Sequence, residues 1–215
     1  MNTHLQTPPG ALLFLTSQCP HCPTVLQALS ELVKTGSIGK LEAVNLDTHP
    51  TEGEKHQVRS VPWIRIGKFI LTGLRNKDEL YAWARRSNSI TGEAIYFDDL
   101  LKAGNLDDTI AYIKESPAAI EALLLLSSDT ETDLNIRIGV SAVFEAFSGT
   151  QALSEHIDGI TALSQNEDPR VRSDACHFLS LTGHQKAVDR LKNMLDDDEK
   201  AVRDAASESL SDMEN

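Results

Sequence analysis

Apolar residues follow two regimes along this chain of 215 residues. In the first 86 residues, short apolar runs alternate with stretches of helical period. Ala11-Leu12-Leu13-Phe14-Leu15 is a continuous apolar run, as in a strand buried on both faces. Val25, Leu26, Leu29, Leu32 and Val33 then recur at the spacing of one helix face. Lys40 to Asp47 alternates weakly and predicts a second strand, and Thr51 to Gln57 predicts a short polar helix. Val61-Pro62-Trp63-Ile64-Arg65-Ile66 predicts a strand led in by proline. Gly67-Lys68 is a turn, and Phe69 to Thr72 is the hairpin partner. Asn76 is placed to cap a last helix with Leu80, Tyr81, Trp83 and Ala84 on or near its apolar face. The predicted order is β-α-β-α-β-β-α.

From Phe97 onward the pattern is helical. Breaks are expected at Gly104-Asn105, Ser116-Pro117, Ser128 to Asp133, Gly149, Asn166 to Asp168, Gly183, and Asp196 to Asp198. Internal similarity is the main signal. Ile136-Arg137, Val171-Arg172 and Val202-Arg203 recur, each arginine with an acid four residues earlier: Asp133, Asp168 and Glu199. On a helix that spacing predicts an acid in the first turn reaching the arginine one turn later. Apolar or small residues follow each arginine: Val140 with Phe144, Ala175 with Leu179, and Ala206 with Leu210.

Charge divides the chain in the same place. Residues 1–96 hold ten Lys/Arg against eight Asp/Glu, and residues 97–215 hold ten against twenty-four, giving +2 and −14 within the total of −12. The expected organisation is a domain over residues 1–86, a linker over 87–96 and a helical domain over 97–215. An acidic second half argues against nucleic acid or an anionic membrane as its partner. No apolar run approaches the roughly 20 residues that span a bilayer. Residues 1–10 carry no Lys or Arg, and the apolar run after them is shorter than a leader's core. A cytoplasmic protein is therefore expected, in a compartment that keeps thiols reduced.

The candidate chemistry lies in Cys19-Pro20-His21-Cys22, between the first predicted strand and helix. Two cysteines three apart in that context suggest redox chemistry. A sulfur at a helix N-terminus faces unpaired N–H groups and the positive end of the dipole, which favour its thiolate. Pro20 suits the first helical position, where a missing N–H costs nothing. His21 can place a cation or N–H dipole near the Cys19 sulfur. A zinc half-site lacks further ligands, because the third cysteine, Cys176, lies far along the chain. Cys176 beside His177 suggests a partly buried thiol and a surface histidine, with a ligand pair or second redox thiol as the alternative.

Leu12 to Arg86 resembles a compact thioredoxin-fold domain of glutaredoxin size. The residues that carry the resemblance are CPHC, VNLD ending the second strand, RSVP before the third, and Thr72-Gly73 closing the fourth. The resemblance implies that Cys19 is the attacking thiolate and Cys22 the resolving thiol. It also implies that Pro62 is cis, and that Pro62 and the Val61 backbone line the substrate groove. The chain departs from thioredoxins at Leu13, where they bury an Asp, and at Gln18, where they carry Trp. The glycine-rich signature for glutathione is missing after Gly73. The Pro-His dipeptide resembles that of the periplasmic oxidant DsbA, whose potential is about −120 mV against a cytosolic poise near −220 mV. At ~30 mV per tenfold, a similarly tuned pair in the cytosol rests as the dithiol and reduces disulfides or senses oxidants.

Asp133 to Met213, and more loosely the helices from Phe97, resemble HEAT repeats of the phycobilisome-lyase type. DPRVRSDACHFL and DEKAVRDAASESL are the clearest copies. Such helix pairs stack into a solenoid whose exposed face binds protein; a plain helical bundle is the alternative. The fold class expected is thus an α/β thioredoxin-like domain followed by an all-α solenoid. The function expected is a protein thiol–disulfide oxidoreductase needing no cofactor or metal. Its partners would be disulfide-bearing protein clients, an electron donor and a protein bound by the repeats. A redox-sensitive assembly protein is the alternative. A glutathione-transferase-like enzyme is a third reading, opposed by the repeat spacing.

Overall fold

The structure, a computed structural model, describes residues 7–214. The start of the region read as lacking a leader and the outer ends of both expected domains lie outside the described residues. The chain divides into two compact units, Met1–Gly92 and Glu93–Asn215.

In the first unit, strands β1 (Gly10–Leu15), β2 (Lys40–Asn45), β3 (Trp63–Ile66) and β4 (Phe69–Thr72) form one sheet. Its order is β2-β1-β3-β4. β1 runs parallel to β2 and antiparallel to β3, and β3 and β4 form the hairpin. β1 is central, and Ala11 through Phe14 are all buried, which is why its sequence is a continuous apolar run. β4 lies at an edge and alternates, with Phe69 and Leu71 buried and Ile70 and Thr72 exposed. β3 begins at Trp63, two residues later than its pattern suggests. Pro62 offers no N–H to a ladder, and the Val61–Pro62 bond is cis.

Helices α1 (Cys22–Lys34), α2 (Pro50–Lys55) and α3 (Lys77–Arg86) complete this unit. α1 buries Cys22, Val25, Ala28, Leu29 and Leu32, the face its spacing marks. Asn76 caps α3 as expected: its carboxamide accepts the Glu79 N–H at 2.9 Å, while the Glu79 carboxylate accepts the Asn76 N–H at 2.8 Å. Such a reciprocal cap contributes about 1 kcal/mol. Leu12, Phe14 and Trp63 form a core cluster on one sheet face, with Val44, Leu46, Val58 and Val61 against it.

The rest of the chain is helical: α4 (Ile90–Lys102), α5 (Leu106–Glu115), a 3-10 turn (Pro117–Ala119), α6 (Ile120–Ser128), α7 (Leu134–Ala146), α8 (Gln151–Ser154), α9 (Ile157–Leu163), α10 (Pro169–Leu181), α11 (Gln185–Met194) and α12 (Lys200–Glu214). Every expected break separates two of these elements. One break is additional, at Glu155-His156, where the His156 ring donates to the Ala152 carbonyl at 2.8 Å and satisfies the end of α8. Residues 90–96 of the stretch read as a linker are helical, the opening of α4.

The expected acid–arginine pairs within each repeat helix do not form. Asp133 and Asp168 are N-caps, outside the helical turn that the i,i+4 geometry requires. The Asp168 carboxylate turns back to accept the Arg170 N–H at 2.8 Å. The arginines instead work between repeats and on the loops. Arg137 donates to the Asp174 carboxylate at 2.6 Å, and Arg172 to Asp197 at 2.8 Å. Arg172 Nη1 also donates to the carbonyls of Asn166 and Glu167, both at 3.0 Å. Arg203 Nη1 repeats this on Asp197 and Asp198, at 2.6 and 2.9 Å. Two copies of one motif thus tie down the loop before their own helix. Between α7 and α10, Phe144 and Phe178 stack with centroids 4.2 Å apart, both fully buried.

Candidate functional site

β1 runs out at Leu15, and the next four residues form a pinned loop rather than a free one. The Ser17 N–H donates to an Asp47 carboxylate oxygen at 2.7 Å, and Asn45 Nδ2 donates to Ser17 Oγ at 3.2 Å. The Asp47 N–H donates to Asn45 Oδ1 at 2.8 Å, which orients both polar side chains past the end of β2. Cys19 N–H donates to the Thr16 carbonyl at 3.3 Å. These contacts fix where Cys19 emerges. The Ser17 N–H also holds the Asp47 carboxyl below the ordinary carboxylate value of 3.8, because it stabilises the charged form.

α1 then begins with His21 as N-cap and Cys22 as its first residue. Pro20 therefore does not take the first helical position; it precedes the cap, and Pro23 is the proline in the first turn. The reason is that Cys19 Sγ takes the capping role: it accepts the Cys22 N–H at 3.1 Å. Cys19 lies three residues before Cys22, and Pro20-His21 form the connecting bend. Cys19 and Cys22 are paired as a disulfide, with Cα atoms 5.5 Å apart. The two sulfurs differ in access: Cys22 is buried at 3% exposed, while Cys19 is half-buried. His21 and Pro20 are exposed.

The Phe14↔Trp63 register brings the start of β3 to the sheet end from which the cysteine loop leaves. Val61 and Pro62 immediately precede that point. Pro62 is buried, and its carbonyl accepts the Gly73 N–H at 2.9 Å. Val61 is half-buried against the Leu12–Phe14–Trp63 cluster. Leu13 is fully buried and paired with Ile64 and Ala43, so an aliphatic side chain fills the position where thioredoxins carry a carboxylate.

Sequence reasoning gave no role to Ser17, Asn45, Asp47 or His56. Asn45 and Asp47 had a signal, two polar residues at i,i+2 closing a strand. His56 had none: its ring lies 5.3 Å from Phe14 and 5.7 Å from Trp63, a contact made only in three dimensions. Cys176 is fully buried, with Met194 Sδ at 3.8 Å and the Val202 carbonyl at 3.9 Å as hydrogen-bond acceptors for its thiol. Burial pushes its thiol up to about 12, so it stays protonated near neutrality. His177 pairs with Glu145 at 3.1 Å. Among the described residues, no group of three or more His, Cys, Asp or Glu is arranged to hold a metal ion, and no helix is long and apolar enough to cross a membrane.

A Cys19–Cys22 disulfide at the start of the first helix beside a β2-β1-β3-β4 sheet, with a cis-proline at the adjoining strand end, defines a thioredoxin-like domain. Residues 12–85 match the thioredoxin domain family, and residues 120–211 match the HEAT repeat family. The chain thus joins a thioredoxin domain to HEAT repeats. No curated protein matches it. A thioredoxin domain points to redox function, and HEAT repeats mediate protein–protein interaction.

Proposed function

We propose that the protein is a thiol–disulfide oxidoreductase acting on protein disulfides, with its HEAT repeats binding the client or a partner. The observation that carries the reading is the Cys22 N–H donating to Cys19 Sγ at the start of α1. In the reduced protein the same N–H and the helix dipole stabilise a Cys19 thiolate. That thiolate attacks one sulfur of the client disulfide, forming a mixed disulfide and expelling a client thiolate. Cys22 then loses its proton and attacks the Cys19 sulfur. The Cys19–Cys22 disulfide forms, the second client thiolate leaves, and the client has gained two electrons. An external dithiol donor must reduce the pair before the next cycle. The half-buried Cys19 is the sulfur a client can reach, and the buried Cys22 is the one shielded from solution. Pro20 and His21 shape the bend that sets Cys19 over the helix end, and Val61 and Pro62 line the client groove. This activity fits a reducing compartment such as the cytoplasm.

The test is reduction of a protein disulfide by the purified, pre-reduced chain. Cys19→Ser is expected to abolish turnover, and Cys22→Ser to accumulate a mixed disulfide visible on a non-reducing gel. Full activity of Cys19→Ser would overturn the assignment. A second reading, a slow redox switch controlling assembly through the repeats, is favoured by Leu13, which puts an aliphatic side chain rather than a proton-accepting carboxylate at that buried position.

A further inference from the structure

α7 carries two faces of unlike character. Ile136, Val140, Val143 and Phe144 point inward and are buried. Leu134 and Ile138, one turn apart, are 69% and 59% exposed, the two most exposed large apolar residues described. Single exposed leucines are ordinary on a protein surface. A Leu–Ile pair stacked at i,i+4 on one helix is a ridge, shaped to be covered by apolar side chains.

The ridge has an acidic rim. Asp129, Glu131 and Asp133, all exposed, lie on the loop that leads into Leu134. None of these three carboxylates holds an ion pair among the described residues. Cations that interact electrostatically with two of them are ion-paired elsewhere: Lys102, which senses Asp133, with Asp98, and Arg170, which senses Glu131, with Asp168. The surplus extends across this part of the chain, with residues 97–215 at −14.

We infer that the α7 ridge docks a basic amphipathic segment of a protein partner. Apolar side chains at helical spacing on that segment would cover Leu134 and Ile138. Its Lys or Arg side chains would reach Asp129, Glu131 and Asp133. The inference deepens the partner-binding half of the proposed function and rests on it. An acidic or uniformly polar segment does not fit, because it would either repel the rim or leave the ridge wet. A nucleic acid is excluded by the same charge.

The experiment measures anisotropy of a labelled peptide of about 18 residues with Leu and Lys at helical spacing, added to the full chain. A Leu/Glu peptide and a Ser/Lys peptide of the same length are the controls. Binding of Leu/Lys is expected to exceed that of either control at least tenfold, and to weaken several-fold between low and high salt. Leu134→Ser with Ile138→Ser is expected to reduce affinity at least tenfold, and Glu131→Lys to reduce it separately. Both changes fall on exposed side chains, and an unchanged circular dichroism melt verifies the fold. Failure of the Leu/Lys peptide to bind overturns the inference. So does an affinity unchanged by the double substitution, or equal binding of the Leu/Glu peptide. The measurement is repeated in protein carrying Cys19→Ser and Cys22→Ser. It therefore succeeds or fails independently of the thiol chemistry.

Discussion

Arg172→Ala isolates what the recurrent arginines contribute. The Arg172 side chain is 13% exposed and its partner Asp197 12%. It donates to both Asp197 oxygens, at 2.8 and 2.9 Å, and to the Asn166 and Glu167 carbonyls. The Arg172 hydrogen bonds to Asp197, helped by the Glu199 N–H, hold the Asp197 carboxyl down at about 2, below its ordinary 3.8. A depression of that size corresponds to about 2 kcal/mol at neutral pH, less some screening by water at the loop edge. Removing the arginine also leaves two loop carbonyls to find other donors, at about 1 kcal/mol each where water does not reach them. The expected loss is about 3 kcal/mol, or about 10 °C in melting temperature for a unit of this size. The sign of the pH dependence follows from the lowered value. The stabilisation is fully present above the unfolded-state pKa near 4 and is lost as pH falls through the folded value near 2. The gap between wild type and variant should therefore narrow on acidification toward the share contributed by the loop carbonyls. Urea unfolding followed by far-ultraviolet circular dichroism reads the helical unit. Fluorescence of Trp63 and Trp83, both in the first unit, reads the other. A loss below about 1 kcal/mol at neutral pH, or a gap unchanged down to about pH 2, would refute the reasoning.

Two further outcomes are expected. After reduction, a small alkylating reagent at neutral pH should modify the half-buried Cys19 first but reach Cys176 only on unfolding, given its burial and its pKa pushed up to about 12. Native-state peptide mapping showing Cys176 alkylated at the rate of Cys19 would contradict this. The Ser17 amide proton should titrate with Asp47 in an NMR pH series, its midpoint below the ordinary value of 3.8. Because the carboxyl's pKa is lowered by folding, the contact is present above that range and lost as pH falls through the midpoint. A midpoint at or above 3.8, or an amide shift that Asp47→Ala leaves unaltered, would remove the clasp from the account.

The elements were legible wherever local pattern and burial agree. Ala11 to Phe14 form a continuous apolar run because β1 is covered on both faces, and Asn76 with Glu79 is a cap written within four residues. Gly104, Gly149 and Gly183 mark helix ends because each takes positive φ there. Errors arose where a side chain had a choice of partner. Arg172 has an acid four residues before it and another twenty-five after it, and only packing of the repeats brings Asp197 within reach. Pro20 and Pro23 both suit a helix start, and the Cys19 sulfur accepting the Cys22 N–H decided between them.

Sequence alone determined the class of chemistry here: two thiols three apart at a strand–helix junction, followed by repeated helices of opposite charge balance. Periodicity and spacing are local properties, and a chain cannot bury its apolar positions without obeying them. Tertiary structure decided which sulfur is accessible, what holds the loop before it, and which carboxylate each arginine meets. Those outcomes depend on contacts between residues tens of positions apart. Their energies are set by burial and hydrogen-bond geometry that exist only once the sheet and the repeats have closed.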